Sequence, residues 1–387
     1  MIKSLKRFAA VLFTASLLYP MPSAAQRPTP ASTLDFPANS PEIRFQGRTA
    51  VNSDGSVSFD WSGVYCEFAF TGDYCAVRGS DDPRCLNRFN LFVDGVQTAV
   101  VNFSTDSTVV LFAGVASGPG ASGAPGRSSH QIRLQKRTEG SQGIFTLKKI
   151  ILPEGERLEK SATAPDRRIL FIGNSLTCGY GVEAKSNKEH FNNLTENCNL
   201  SYACDLARYF NADYELISHS GIGAARNYGD KHRVSKKAMP EAFARTFDSK
   251  GDSAPWDFGK DPFHPDIVVI YLGTNDFSTK PWPNYKEFST RYFNIVRQVR
   301  AAYGDVPILC VSTYLIDPAL DYTRRIVESG SASNLHLAAI LPGYCDLDTE
   351  YGADGHPNIV GQQKTAMLLA PYISSLTDWP VIPLPTM

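Results

Sequence analysis

Between Ile43 and Leu152 the apolar residues come in short bursts with partial two-residue alternation, as in Val57-Ser58-Phe59-Asp60-Trp61 and Glu67-Phe68-Ala69-Phe70. No stretch there repeats at helical spacing, so the segment predicts strands. Asp94-Gly95 between the apolar flanks of "FVDGVQ" predicts a tight hairpin, and Asp54-Gly55 in "NSDGSV" predicts another. Further strands are expected at Val109 to Phe112, Gln131 to Lys136 and Ile144 to Leu152, with the Gly/Ser/Pro-rich "SGPGASGAPGR" as a long surface loop between the first two. Many short strands without a helical period predict a β-sandwich of jelly-roll type over residues 34–152.

The polar, proline-bounded stretch over residues 153–167 reads as a linker, and beyond it the rhythm changes. Ile169 to Ile172, Tyr214 to Ser218, Ile267 to Leu272, Ile308 to Val311 and Leu335 to Ile340 are short apolar runs. Segments of helical spacing, such as Tyr202 to Phe210 and Tyr285 to Tyr303, separate most of them. This alternation predicts a doubly wound, mostly parallel sheet over residues 168–376. Ligands in such sheets bind beyond the carboxyl ends of the strands. The run "ILFIG" ends on Asn174 and Ser175, which places a small hydroxyl at that edge.

Composition narrows the partners. The 387 residues are 43% hydrophobic and 20% charged, with a formal net charge of −1, so there is no basic field for nucleic acid or anionic lipid. Small neutral or weakly charged substrates fit better. Lys3, Lys6 and Arg7, the apolar run Phe8 to Leu18 and the small residues Ser23-Ala24-Ala25 form the pattern of a secretory signal peptide over residues 1–25. The run is shorter than the ~20 residues that span a bilayer, so membrane insertion is not expected. The first cysteine is Cys66, which leaves none near the cleavage site to take a lipid. The expected location is periplasmic or secreted. In an oxidising compartment the eight cysteines suggest some disulfides, with Cys75–Cys85 and Cys198–Cys204 as candidate local pairs, or else buried thiols. No cysteine or histidine spacing resembles a zinc site, and no metal or cofactor is expected.

A serine after a strand more often caps the next helix than attacks a carbonyl, so its companions matter. The run Ile267 to Leu272 leads into "GTND" and delivers Asn275 to the same sheet edge, and "SHSGIG" delivers Gly221. Ester hydrolysis needs donors aimed at the oxygen that becomes negative, and the Ser175 amide, the Gly221 amide and the Asn275 side chain would supply three. Taken singly, Asn275 reads more readily as a turn residue and Gly221 as a position that needs positive φ. Near the chain end "YGADGHPN" sets His356 two positions after Asp354, a base and a carboxylate of the kind a serine hydrolase uses. A second pair, Asp261 and His264, precedes the strand Ile267 to Leu272 and so belongs at the opposite end of the sheet. His130, His190, His219, His232 and His336 show no comparable partner in the sequence, although His219 lies close enough to Gly221 to touch a pocket there.

Together "IGNSLTCGYG", "SHSGIG", "LGTND" and "DGHPN" resemble, in order, the motifs of the SGNH, or GDSL-like, hydrolase superfamily. Two departures stand out. Asn174 replaces the usual aspartate before the nucleophile, and Ala353 occupies the usual aspartate position before His356, so that either Asp354 or a backbone carbonyl orients the imidazole. The shortened spacing, the β-rich first half and the segments "LQKRTEGSQGIFTLKKIIL" and "SHSGIGAARNYGD" are similar to carbohydrate esterase family two. That resemblance implies a serine acetylesterase acting on acetylated xylan, glucomannan or their oligosaccharides. Trp282, just past the asparagine motif, either stacks on a sugar ring or belongs to the core. Two other readings stay open: an esterase or lysophospholipase for other acyl chains, and a non-catalytic carbohydrate-binding protein.

Overall fold

The computed structural model describes residues 30–84, 86–114, 128–161, 164–250, 253–313, 318–341 and 343–382. The signal-peptide region, the Gly/Ser/Pro-rich loop and Cys85 lie outside the described residues. The first half carries β1 (Thr33–Pro37), β2 (Arg44–Gln46), β3 (Ala50–Val51), β4 (Val57–Phe59), β5 (Tyr65–Thr71) and β6 (Tyr74–Ser80). It continues with β7 (Phe89–Val93), β8 (Val96–Val101), β9 (Ser107–Ala113), β10 (Ser129–Lys136), β11 (Phe145–Pro153) and β12 (Leu158–Glu159). These form two antiparallel sheets, ordered β3-β4-β11-β6-β9 with β1 beside β11, and β12-β5-β10-β7-β8 with β2 beside β5. The predicted hairpin turns between β7 and β8, where Asp94 and Gly95 both take positive φ, 51° and 81°, as a two-residue turn of this hand requires. The segment read as a linker contributes β12, which pairs with β5.

Alternation puts Phe59, Phe89 and Phe145 into one interior, joined by Phe103 from the turn after β8, all fully buried, with Phe89 and Phe103 ring centroids 4.5 and 4.7 Å from Phe145. Burying an aromatic side chain contributes on the order of 2 kcal/mol. This cluster is therefore a major part of what holds the two sheets together.

The second half runs β13 (Arg167–Gly173), α1 (Ser175–Cys178), α2 (Tyr202–Phe210), β14 (Ala212–Ser218), α3 (Met239–Phe243) and β15 (Ile267–Tyr271). It ends with α4 (Thr274–Ser278), α5 (Tyr285–Tyr303), β16 (Ile308–Thr313), α6 (Ala319–Glu328), β17 (Leu335–Ile340) and α7 (Ile359–Thr377). Its five strands are all parallel, in the order β14-β13-β15-β16-β17. Gly173 pairs with Ser218 and Ile172 with Ile270, so β13, β14 and β15 end level and release Ser175, His219 and Asn275 from one edge. None of the described helices is long and apolar enough to cross a membrane.

The proposed Cys198–Cys204 disulfide does not form. Cys198 and Cys204 are both free, buried thiols. Cys75, the other candidate, is a free thiol inside the sandwich, and its proposed partner Cys85 lies outside the described residues. The Cys198 and Cys204 side chains interact with one another as thiols, without a covalent bond.

Charged residues knit the halves together. Arg44 Nη1 lies 2.7 Å from Asp213 Oδ2, and the wholly buried Arg48 donates to Glu215 at 3.1 Å and to the carbonyls of Phe243 and Arg245 at 2.5 and 2.7 Å. Trp61 Nε1 donates to the carbonyl of Thr246 at 3.0 Å, while the carboxylate of Asp60 accepts the amides of Asp248 and Ser249 at 2.9 and 2.8 Å. Burial pushes Glu215 up to about 7, with Arg48 opposing that rise. Arg48→Met removes the one cation bonded to Glu215 among the described residues, and the donor to the Phe243 and Arg245 carbonyls, so it should lower stability by roughly 3–5 kcal/mol. The loss should grow as pH rises past 7, because the variant must hold Glu215 protonated where the wild type lets it ionise against Arg48. Denaturant unfolding at several pH values checks both statements.

Candidate active site

Ser175 opens α1 immediately after Asn174, whose side chain accepts the Leu176 amide at 3.1 Å and so caps the turn. The substituted aspartate position is thus a local cap. Ser175 Oγ lies 2.8 Å from His356 Nε2, across a sequence separation of 181 residues. His356 Nδ1 lies 3.1 Å from the carbonyl oxygen of Ala353. A carbonyl only accepts, so Nδ1 carries the proton and Nε2 is left with a lone pair for the serine hydroxyl. Burial holds His356 below its ordinary 6.5, with the Ala353 carbonyl and the Asp354 charge acting the other way. The imidazole is therefore a neutral base at neutral pH.

Asp354 is not the group that orients His356. It occupies the left-handed region, φ 50°, which turns its side chain away. Its carboxylate instead takes His190 Nδ1 at 2.7 Å, the Tyr180 hydroxyl at 2.8 Å and the Phe191 amide at 2.9 Å. The Tyr180 ring stacks on the His356 imidazole, with centroids 4.1 Å apart and planes 28° apart. Asp354 therefore acts on the imidazole through Tyr180, a residue that no sequence signal singled out.

The predicted donors gather around a second loop. Gly221 has φ +80°, a conformation L side chains rarely adopt, and Asn275 Nδ2 donates to the carbonyl of Ile222 at 2.8 Å. One amide hydrogen of Asn275 is thereby used to fix the loop. Asp276, fully buried, accepts the amides of Ala224, Ala225 and Arg226 at 2.9, 2.6 and 2.8 Å. The aspartate of "GTND" was missed as a structural clamp. Beside Gly221 opens a cavity of about 440 Å³, lined in part by His219, Tyr228, Lys237, Arg245 and Asp248.

Trp282, 40% exposed, sits edge-on to Phe277 with Lys280 Nζ over its ring at 5.3 Å. Asp261 is occupied by Trp256 Nε1 and the Phe263 amide, both at 2.9 Å, and takes no part at Ser175. Three histidines expected to lack acidic partners have them: His130 with Asp94, His190 with Asp354 and His219 with Asp248. Those partners lie 36, 164 and 29 residues away, beyond any spacing argument. Among the described residues, Glu139, Cys178 and Glu196 bring potential ligand atoms within 4.8 Å of one another. Burial pushes the Cys178 thiol and the Glu196 carboxyl well above their ordinary values.

The model of the carbohydrate esterase 2 N-terminal domain matches residues 45–161, and that of the GDSL-like lipase/acylhydrolase family matches residues 171–364. A family two carbohydrate esterase from Clostridium thermocellum, solved with cellohexaose, superposes with a TM-score of 0.76 at 30% identity, covering 87% of this chain and 99% of that one. The chain belongs to carbohydrate esterase family two. Within that family it is 33% identical over 350 residues to the cellulase/esterase CelE of Acetivibrio thermocellus, covering 88% of this chain but only 40% of the length of that longer protein. It is 29% identical over 356 residues to an acetylxylan esterase / glucomannan deacetylase of Cellvibrio japonicus, with 86% and 90% of the two chains covered.

With a carbonyl at Nδ1, Asp354→Asn should retain far more turnover than the roughly 10⁻⁴ left when a triad's orienting carboxylate is neutralised, whereas His356→Ala should be inactive. As pH falls, kcat/KM should decline with a midpoint below 6.5, because protonation of His356 removes the acceptor and burial opposes that protonation. A pH–rate profile of the wild type and both variants tests this.

Proposed function

We propose that this chain is a carbohydrate acetylesterase that removes O-acetyl groups from plant polysaccharides or their oligosaccharides, with acetylated xylan and glucomannan as the substrate class. The observation that carries the reading is the 2.8 Å approach of Ser175 Oγ to His356 Nε2, with Nδ1 fixed on a carbonyl, at the carboxyl edge of the parallel sheet. The names of the relatives supply the substrate class. In this reading Oγ attacks the acetyl carbonyl as its proton passes to Nε2. The amides of Ser175 and Gly221 and the Asn275 side chain receive the oxyanion. The tetrahedral intermediate collapses as the imidazolium returns the proton to the departing sugar oxygen. Water, deprotonated by His356, then attacks the acetyl-enzyme and frees acetate.

The cavity beside Gly221 supports a sugar over a long acyl chain, because His219, Lys237, Arg245 and Asp248 give it a charged lining. Trp282, half exposed beyond α4, is proposed as an outlying sugar platform. The first domain, taken as a jelly-roll sandwich, braces the cleft. Export to the periplasm or medium is part of the reading and is supported by the leader-like pattern of residues 1–25.

Acetate release from aryl acetates and acetylated glycans should be abolished in Ser175→Ala with the fold retained, and octanoyl esters should turn over far more slowly than acetyl esters. A serine-reactive phosphonate that adds no mass to the wild type would instead make the chain a binding protein. Asn275→Ala should lower kcat on the order of 10² to 10³-fold, the usual loss of one oxyanion donor. Trp282→Ala should raise KM on acetylated polysaccharide and leave kcat on an aryl acetate unchanged; steady-state kinetics on both substrates separates the two.

A further inference from the structure

The segment "RTEGSQG" belongs to the first domain, and its centre reaches the floor of the second domain's active site. Glu139 is 4% exposed. Its Oε2 accepts the backbone amide of Ser220 at 2.7 Å, and its Oε1 accepts the Ser141 hydroxyl at 2.5 Å. Ser220 directly precedes Gly221. On the other side of that amide, His219 Nδ1 donates to Asp248 Oδ2 at 2.8 Å, and the Asp248 amide is held in turn by Asp60 of the first domain. Gly140 packs so closely on Asp248 that a Cβ there would come within 2.5 Å of the aspartate Cβ. The residue after Glu139 is a glycine because nothing larger fits.

We propose that Glu139, contributed by the N-terminal β-domain, is a positioning residue for ester hydrolysis: it fixes the Gly221 loop through the Ser220 amide. The inference rests on the Ser175–His356 reading. A loop carrying an oxyanion donor has to hold its amide within a few tenths of an ångström, since a 1 Å misplacement costs on the order of 10²-fold in rate. Gly221 itself is free to adopt many conformations, so that constraint has to come from its neighbours. Glu139 stays ionised: burial opposes its charge, but His219 and the donors from Ser141 and Ser220 more than compensate. Burial also works against charge on His219, yet Asp248, Glu139 and Asp60 together raise it to about 9, so it faces Glu139 as a cation.

Groups of both signs surround Glu139, the cations His219 and Lys136 among them. Burial pushes Cys178 and Glu196 well above their ordinary values, and the Lys136 ammonium donates to the carbonyls of Thr138 and of Glu139 itself. The Tyr180 ring stacks on His356, and its hydroxyl donates to the Asp354 carboxylate. Glu139 and Asp354 both favour the imidazolium that forms as Ser175 attacks. With only a carbonyl on Nδ1, that charge does part of what a triad carboxylate does by contact.

Two substitutions divide the roles. Glu139→Gln keeps an acceptor for Ser220 and loses the charge, so kcat should fall modestly and the acid limb of kcat/KM should move to lower pH as His356 becomes harder to protonate. Glu139→Asp keeps the charge and withdraws the carboxylate by one methylene, so kcat should fall on the order of 10²-fold with KM for an aryl acetate little changed and the acid limb in place. A residue that only braces the domains would lower the unfolding midpoint and leave the acid limb where it was in both variants. Rates are taken per phosphonate-titrated serine, which counts folded sites even when the yield of folded protein is low. Wild-type kcat and acid limb in both variants would overturn the proposal. Ser175→Ala, run in parallel, separates the failures: turnover there refutes the Ser175–His356 reading itself, whereas its loss alongside unaffected Glu139 variants refutes only the positioning role.

Discussion

The hydrogen bond from His356 Nδ1 to the Ala353 carbonyl sets what the rest of the site has to supply. It fixes the tautomer as a carboxylate does, but a carbonyl carries no full charge to stabilise the imidazolium and is only as well placed as its own peptide. The loop bearing both groups is therefore tied down from several sides. The Asp354 amide donates to the Glu189 carbonyl at 2.8 Å, its side chain pins Tyr180 and Phe191, and Tyr180 lies flat against the imidazole. An aspartate at the position that the sequence offers for a triad member is used as a rivet between two loops.

The same economy explains why the β-domain is built against the hydrolase sheet instead of being tethered to it. Arg44, Arg48, Asp60 and Glu139 all cross the boundary, and each satisfies a polar group that the second domain leaves buried. Buried charges of this sort contribute little net stability, because desolvation offsets most of the attraction. Their value lies in register. A wrong approach of the domains would strand Glu215, the Ser220 amide and the Asp248 amide without partners, and an unsatisfied buried group costs about 1–3 kcal/mol.

The active-site edge itself is polar to an unusual depth. Asp276 turns three consecutive amides of one loop inward, and Asn275 grips the same loop through the Ile222 carbonyl. The loop after β14 is thus shaped by side chains from α4 on one side and by the β-domain on the other. Its own bonds, such as Tyr228 N–H to the Gly221 carbonyl at 2.8 Å and Ser235 N–H to the Ala225 carbonyl at 2.9 Å, complete the shape. This division leaves room beside Gly221 for the charged cavity, which suits a hydroxyl-rich ligand.

The sequence by itself determined the elements and their order. Period-two bursts gave the antiparallel strands, short apolar runs between helical spacings gave the parallel sheet, and Asp94-Gly95 gave its hairpin, because these depend on neighbours within a few residues. It also delivered Ser175, Gly221 and Asn275 to one edge, since a parallel sheet sends every strand's carboxyl end the same way. What only the tertiary structure decided are pairings set by side-chain direction across long separations. Asp354 precedes His356 by two residues yet faces His190, and the left-handed backbone at Asp354 is the reason. Cys198 and Cys204 are close in the chain and remain thiols. Glu139 and Ser220 are 81 residues apart and meet at 2.7 Å because two separately folded sheets fit together in one way. Spacing along the chain fixes which face a residue occupies, and only packing fixes what that face meets.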